Sequence, residues 1–189
     1  VRDALTQVKV SKVDIAGGEE LAGAEMRVIL RDALGVETVV RQWTSGSKPE
    51  TIQGLIANTT YILRETVAPD GYAVTTDIAF SVNEHNRVTA YAPTTVGEDG
   101  VTVILVQDAK TKVSVSKTDI ASGEELAGAT IQIIDRDGKV VEEWTSTDKP
   151  HQIEGLRTGE EYTLHETVAP DGYTVASDTK FTIDETGQV

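Results

Sequence analysis

The chain contains two copies of one long sequence unit, and this repeat constrains the fold more than any other feature. "KVSKVDIAGGEELAGAEM" at 9–26 matches "SVSKTDIASGEELAGATI" at 114–131, an offset of 105 residues. "YILRETVAPDGYAV" at 61–74 matches "YTLHETVAPDGYTV" at 162–175, an offset of 101, because 27–43 is four residues longer than its counterpart. A unit of about 100 residues is an ordinary domain size, so we expect each copy to fold as its own domain.

The alignment of the copies also predicts domain boundaries. "VRDALTQVKVSKVD" at 1–14 aligns with "VQDAKTKVSVSKTD" at 106–119, so residues 1–6 are predicted to be the remnant of a preceding repeat. A complete domain is predicted over 7–111. The second domain, 112–189, follows the first only as far as "FTIDETGQV" and is predicted to lack its last strand.

Apolar and polar residues alternate within each unit, which is the pattern of β-strands with one buried face. These runs are separated by Gly, Pro, Asn and Asp turns, and "DRDGK" at 135–139 has the composition of a tight hairpin turn. No stretch keeps the 3.6-residue periodicity of a helix. The sequence therefore predicts an all-β fold made of antiparallel β-sandwich domains.

Composition disfavours several classes of function. The net charge is −14, with 31 acidic and 17 basic residues, so nucleic acid and anionic membrane are poor partners. The chain has no cysteine, which excludes disulfides, thiolate metal sites and cysteine nucleophiles. We expect no metal and no cofactor, because His85, His151 and His165 lack the spacing of metal ligands and are predicted to lie on the solvated surface. Trp43 and Trp144 fit packing at a sandwich end better than a sugar-stacking platform.

The strand alternation places an ionisable residue on the apolar face of three strands in the first unit. These residues are Lys12, Glu65 and Asp108, and the second unit repeats the first two as Lys117 and Glu166. Isolated charges in a core cost several kcal/mol, so they must pair or become neutral. Burial raises the pKa of a carboxyl and lowers that of a lysine, which favours a neutral amine beside a protonated carboxyl. Such a pair can condense to an amide with loss of water.

The spacing by itself leaves simpler interpretations open. Lys12 could be a strand-end lysine that points to solvent, Glu65 could cap the following turn, and Asp108 could be an edge-strand carboxylate.

Four motifs in combination resemble the Cna B-type (SpaA-like) domains of Gram-positive surface adhesins and pilins. They are "VSKVD", "GEELAGAEM", "YILRETVAPDGY" and "VILVQDA", and the resemblance extends over essentially the whole chain. The chain is also similar to the domain from which the Spy tag and catcher pair was made. The resemblance implies an immunoglobulin-like β-sandwich with a spontaneous intramolecular isopeptide bond, in a cell wall-anchored protein on the outside of the bacterium.

Motif position assigns roles within this resemblance. Lys12 would be the amine, Glu65 the catalytic carboxyl and Asp108 the acceptor, where many relatives have asparagine. Gln107 is the neighbouring alternative acceptor, but alternation favours Asp108, which continues the face of Ile104 and Val106.

The second unit departs from this pattern. Lys117 and Glu166 are present, with Glu166 in the catalytic position, but no acceptor strand follows, and Asp178 and Asp184 are the nearest remaining carboxylates. We expect Lys117 to be an unpaired reactive lysine beside an open groove. Asp3 aligns with the acceptor position, so it is an alternative acceptor for a neighbouring domain, by head-to-tail association of chains that are otherwise expected to be monomers.

The function predicted from the sequence is that of a structural stalk module of a surface adhesin or pilus, rigidified by a Lys–Asp isopeptide bond. It would not be an enzyme, apart from one autocatalytic turnover, and its partners would be neighbouring repeats of the same polypeptide. Two alternatives remain: a module that binds a host matrix protein or glycan, and an open second domain that captures an external strand and ligates to it. We expect no binding of nucleic acid and no insertion into a membrane.

Overall fold

The computed structural model describes residues 3–189, which form fifteen β-strands and no helix. No segment of this described range could therefore cross a membrane as a helix. The chain divides into two compact units, residues 1–109 and 110–189. The strands of the first unit are β1 (Gln7–Asp14), β2 (Glu25–Arg31), β3 (Glu37–Thr44), β4 (Glu50–Gln53), β5 (Tyr61–Val67), β6 (Ile78–Val82), β7 (Val88–Ala90), β8 (Thr94–Val96) and β9 (Thr102–Asp108). Those of the second are β10 (Lys112–Val115), β11 (Thr130–Ile134), β12 (Val140–Thr145), β13 (His151–Glu154), β14 (Glu161–Val168) and β15 (Thr179–Thr182).

The first unit is a sandwich of two sheets, with strand orders β4-β1-β9-β8 and β3-β2-β5-β6-β7. Its core combines inward side chains from both sheets, and the largest fully buried ones are Phe80, Met26, Leu63 and Ile104. The alternation that predicted the all-β fold is the cause, because every second residue of these strands faces the opposite sheet.

One strand pair differs from the predicted antiparallel arrangement. β1 and β9 are parallel, in a register that runs from Lys9 opposite Val103 to Asp14 opposite Asp108. Every other pair of strands in residues 3–189 is antiparallel. The first and last strands of the unit are therefore neighbours in the sheet, with β8 on the outer side of β9.

The second unit has a smaller core and a less complete pair of sheets. β10 pairs only with β13 within the described range, and the other sheet has the order β12-β11-β14-β15. No strand of this unit occupies the place that β9 takes beside β1. Phe181, the counterpart of the buried Phe80, is accordingly only half-buried.

The predicted hairpin turn at 135–139 is confirmed. The Asp135 carboxylate accepts hydrogen bonds from the backbone N–H groups of Asp137 (3.0 Å) and Lys139 (2.9 Å), and Gly138 has a φ of 81°, which favours glycine. The first unit has the same turn at 32–36. Its hairpin is longer because β2 and β3 each contain two more residues than β11 and β12.

The different burial of the two equivalent phenylalanines gives a test of this architecture. We expect Phe80→Ala to lower the free energy of unfolding of the first unit by roughly 3–5 kcal/mol, as for a fully buried aromatic residue. Phe181→Ala should cost the second unit clearly less, because part of that ring is already in water. Urea denaturation of single-tryptophan chains, which keep either Trp43 or Trp144, reports each unit separately. Equal losses in the two units would contradict the arrangement.

Candidate functional site

Lys12 lies in the middle of β1 and is enclosed on every side. Its side chain is 2 % exposed. Its own face of the strand carries Val8 and Val10, which are both in the core. The other face is covered by the loop after the strand, where the Leu21 N–H donates to the Lys12 carbonyl (2.7 Å) and Ser11 donates to Glu20. The lysine therefore projects between the two sheets and not into solvent.

Three ionisable side chains meet at this point. The Lys12 amine is in direct contact with the Asp108 carboxyl from the adjacent β9, and it lies 3.2 Å from Glu65 Oε1 on β5 of the opposite sheet. The side chains of Glu65 and Asp108 are both 0 % exposed. The amine and the acceptor carboxyl therefore lie within reacting distance in a site that excludes water.

The electrostatics of the three groups favour protonated carboxyls. Burial raises the pKa of Glu65 to about 7, and it also raises the pKa of Asp108, whereas the nearby Lys12 acts in the opposite direction on both. Apart from their ion pairs with each other, Lys12 Nζ, Glu65 Oε1 and both Asp108 oxygens have no hydrogen-bond partner in the described chain. These atoms have lost their hydrogen bonds to water on burial, and hydrogen bonds within the protein replace them only in part.

The repeated "ETVAPDGY" segment fixes the orientation of Glu65. Its Pro-Asp-Gly turn is closed by a hydrogen bond from the Tyr72 N–H to the Pro69 carbonyl (3.0 Å), with Gly71 at a φ of 83°. The turn returns the chain past the glutamate, where the Thr75 N–H donates to Glu65 Oε2 (2.8 Å). One carboxyl oxygen is thereby held by the backbone, and the other faces Lys12.

The end of β9 is also held by backbone hydrogen bonds. The Asp108 carbonyl accepts from the Ile15 N–H (2.9 Å), and the Ala109 carbonyl accepts from the Ala73 N–H (3.2 Å). Gln107, the neighbouring alternative acceptor, is only half-buried and alternates to the other face of β9.

Two residues of the site were missed by the sequence analysis. The Tyr72 hydroxyl donates to Asp14 Oδ2 (2.7 Å), which raises the pKa of Tyr72 to about 12, and Asp14 stands opposite Asp108 in the parallel register. The second unit contains the same pair, Tyr173 and Asp119, also at 2.7 Å. Their identity in both copies was the available signal, since "SKVD" and "SKTD" end in the aspartate and both "PDGY" segments end in the tyrosine.

The second unit retains half of the site in an open form. The Lys117 amine lies 3.2 Å from Glu166 Oε1, with side-chain exposures of 17 % and 5 %. The Ala176 N–H donates to Glu166 Oε2 (2.5 Å), as Thr75 does in the first unit. A cavity of about 230 Å³ lies beside the pair, and its lining includes Val115, Ile131 and Leu164.

Neither Asp178 nor Asp184 lines this cavity. Asp178 is exposed and bonds to His165 (2.7 Å), and Asp184 is exposed and accepts from backbone N–H groups of its own turn. Asp3 is exposed in the segment before β1, while residues 1 and 2 of the proposed repeat remnant lie outside the described range.

The histidines only partly follow the predicted solvated surface. His85 is strongly exposed, but the His151 ring stacks on Trp144 with centroids 4.4 Å apart and contacts Glu142 (2.6 Å). His151 is half-buried, because the indole covers one face of its ring. Trp43 and Trp144 both pack against the cores of their units. No cluster of three or more metal-ligating side chains occurs in residues 3–189.

Comparisons with known proteins identify the family of the chain. A family described as the SpaA prealbumin-like fold domain matches residues 6–95 and 111–189. No curated protein sequence shows a significant match. Among solved structures, the chain is similar to the TIE protein of Bacillus anthracis, with 23 % identity and a TM-score of 0.51, over 97 % of this chain and 32 % of that protein. The chain therefore spans about a third of that relative.

Two pilins show weaker similarity. The shaft pilin SpaA of Lactobacillus rhamnosus GG shares 18 % identity with a TM-score of 0.43, over 96 % of this chain and 94 % of the pilin. A streptococcal ancillary pilin shares 22 % identity with a TM-score of 0.46, over 97 % of this chain and 60 % of that protein. Because the two segments matched by the family cover most of the sequence, with one segment in each folded unit, the chain belongs to the family of SpaA prealbumin-like fold domains.

Proposed function

We propose that the first unit forms an intramolecular amide between Lys12 and Asp108, and that the chain is a stalk module of a bacterial surface adhesin or pilus. The observation that carries the proposal is the direct contact of the buried Lys12 amine with the Asp108 carboxyl, beside Glu65. Membership of the SpaA family supports the choice of a stalk.

The proposed reaction is a condensation that needs no cofactor. The neutral Lys12 amine attacks Cγ of the protonated Asp108 carboxyl to give a tetrahedral intermediate. Glu65 accepts a proton from the attacking nitrogen and donates one to the departing hydroxyl. A C–N bond forms, a C–O bond breaks, and one water leaves, so no oxidant or reductant is required.

Removal of buried charge favours the product. Separated charges in a core lose much of their hydration energy, and these carboxyl and amine groups have few other partners. An amide carries no net charge, and its formation also relieves the competition of two carboxyls for one amine. This reaction is a single turnover within the chain, so the unit is not an enzyme.

The position of the cross-link suits a module under tension. Lys12 lies on the first strand and Asp108 on the last, and these strands are parallel neighbours. A pulling force applied to the two ends would pass through the amide and would bypass the residues between them. A loop of about 100 residues closed by a covalent link stabilises the fold by roughly 4–5 kcal/mol in the chain-entropy treatment. An amide is also not reducible, which fits a cysteine-free chain.

We place the protein outside the cell, on the cell wall of a Gram-positive bacterium, with neighbouring repeats of the same polypeptide as its partners. The match to the SpaA family, together with the resemblance of the motifs to Gram-positive adhesins and pilins, supports this location. The described residues offer no separate feature that favours a host matrix protein or glycan as the ligand.

A second candidate function is strand capture by the second unit. The observation that favours it is the cavity beside Lys117 and Glu166, at a place where the first unit holds β9. The proposed occupant is a strand with the β9 pattern, which has inward apolar residues followed by an aspartate. In the register of the first unit, that aspartate lies two residues beyond the residue opposite the lysine. A captured strand could then react with Lys117 with loss of one water.

Intact mass tests the proposed cross-link. The unaltered chain should weigh one water less than its sequence, and peptide mapping should recover a Lys12–Asp108 pair. Glu65→Gln and Asp108→Ala should each restore the missing water, because proton transfer or the acceptor is lost. The matched control is Glu166→Gln in the second unit, which should keep the loss. A full sequence mass for the unaltered chain would refute the proposal.

Single-molecule stretching of the full chain tests the mechanical role. The first unit should resist full extension, because the residues between positions 12 and 108 are bypassed, while the second unit should unfold completely. Glu65→Gln should add one unfolding step, with a gain in length of roughly 300 Å at about 3.5 Å per extended residue. The same number of unfolding steps in the unaltered chain and in Glu65→Gln would argue against an amide that carries the force.

A peptide tests strand capture. A peptide with the sequence "VTVILVQDAK", residues 101–110, should form a covalent adduct with the chain. The mass of the adduct should equal the sum of the two masses minus one water, and peptide mapping should place the link at Lys117. The same peptide with alanine in place of its aspartate should give none, and neither should Lys117→Arg protein. Failure of the original peptide to react, or reaction at other lysines, would exclude capture at this groove.

A further inference from the structure

We propose that Tyr72 and Asp14 are positioning residues for amide formation, a role that rests on the proposed function. Tyr72 would hold Asp14 in place, and the Asp14 carboxylate would keep the neighbouring Asp108 in its reactive, protonated form. Neither residue contacts the amine in the described geometry, so each would act through Asp108.

The geometry ties Asp14 to two parts of the site. Its Oδ2 accepts from the Tyr72 hydroxyl (2.7 Å), and its Oδ1 accepts from the Ala16 N–H (2.6 Å). Asp14 and Asp108 are partners in the parallel register, and partners on neighbouring strands place their side chains on the same face. The carboxylate is therefore held beside the acceptor by three elements: β1, the loop that follows it, and the loop after β5.

The same hydrogen bond joins the two segments that hold the end of β9. The residue after Asp14, Ile15, donates its N–H to the Asp108 carbonyl, and the residue after Tyr72, Ala73, donates its N–H to the Ala109 carbonyl. The bond between Tyr72 and Asp14 closes these segments into a frame around the acceptor strand. Loss of this bond would loosen both segments at once.

The second unit shows that the frame does not require the acceptor. Tyr173 donates to Asp119 Oδ2 at 2.7 Å, and the Ala121 N–H donates to Asp119 Oδ1 at 2.7 Å, although no strand lies in the β9 position. Because the tyrosine–aspartate hydrogen bond forms without the acceptor strand, it can already be in place when that strand docks. This preorganisation reduces the cost of aligning the acceptor carboxyl with the amine.

The charge of Asp14 acts on the proton that the reaction needs. An ionised carboxylate is a poor electrophile, so Asp108 must be protonated to be attacked. Burial is the main cause of its raised pKa, Lys12 and Glu65 act to lower it, and the charge of Asp14 raises it further. Without that charge, Asp108 should lose its proton at a lower pH than in the unaltered chain. The rate of amide formation should then begin to fall at a lower pH as well.

The Tyr72 hydroxyl, which donates to Asp14, stays protonated over the pH range of the reaction, because the hydrogen bond to Asp14 raises its pKa. Glu19, an exposed carboxylate of the loop after β1, also raises the pKa of Tyr72.

The test follows, during refolding of the full chain, the decrease in mass by one water that accompanies amide formation. Protein recovered unfolded in urea is diluted into buffers from about pH 5 to about pH 9, and the fraction still at full mass is measured with time. Fluorescence of Trp43, in chains that carry Trp144→Phe, reports folding of the first unit in the same samples. The rate of water loss can then be separated from the rate of folding.

Two variants should affect the chemistry in different ways. Tyr72→Phe keeps the Asp14 charge but removes the hydrogen bond, and it should slow water loss about tenfold after folding is complete, with the shape of the pH profile retained. Asp14→Asn keeps a group that can accept from Tyr72 but removes the charge, and it should move the alkaline fall of the rate to lower pH. Tyr173→Phe, the matched change in the second unit, should leave both the rate and the profile unchanged.

The outcomes separate the two proposals. If the unaltered chain never loses water, the cross-link itself is refuted. If the unaltered chain loses water and both first-unit variants do so at the same rate and with the same pH profile, the cross-link stands and the positioning role is overturned. A loss of rate that only follows slower folding of Tyr72→Phe, with an unshifted profile for Asp14→Asn, likewise overturns it.

Discussion

The first unit is organised around the contact of a buried lysine with two buried carboxyls. Such a contact is unfavourable unless the amine, the carboxyls and the surrounding backbone are aligned, because each charged group has lost its hydration. The alignment needs β1 and β9 side by side and β5 across the sandwich. The parallel pairing of the two end strands, the turn after β5 and the closure of the core are therefore all linked to this contact.

The two units show how much depends on one strand. They share the lysine, the glutamate and the tyrosine–aspartate bond, and in both the glutamate is held by a backbone N–H ten residues further on. They differ in burial: Lys12 is enclosed, whereas Lys117 borders a cavity. β9 thus contributes both the Asp108 carboxyl and the cover that excludes water, while the other hydrogen bonds of the site form without it.

Much of the site could be predicted from alternation and from the repeat. Alternation predicted the shared inward faces of Lys12, Glu65 and Asp108, because side chains two residues apart point the same way in any strand. It could not predict that β1 and β9 are parallel, since one strand looks the same from sequence in either direction of pairing. The contact of Tyr72 with Asp14 was equally hidden, because it joins residues 58 positions apart through a turn whose orientation depends on the packed sheets.

The sequence by itself determined the all-β class, the two copies, the family resemblance and the ionisable residues on the inward faces of the strands. These follow from local pattern and composition, which every segment carries independently of its neighbours. Only the tertiary structure decided which groups touch, which lose their water and therefore which pKa values change. Those properties depend on distances between segments far apart in the chain, and packing of the two sheets against each other sets these distances.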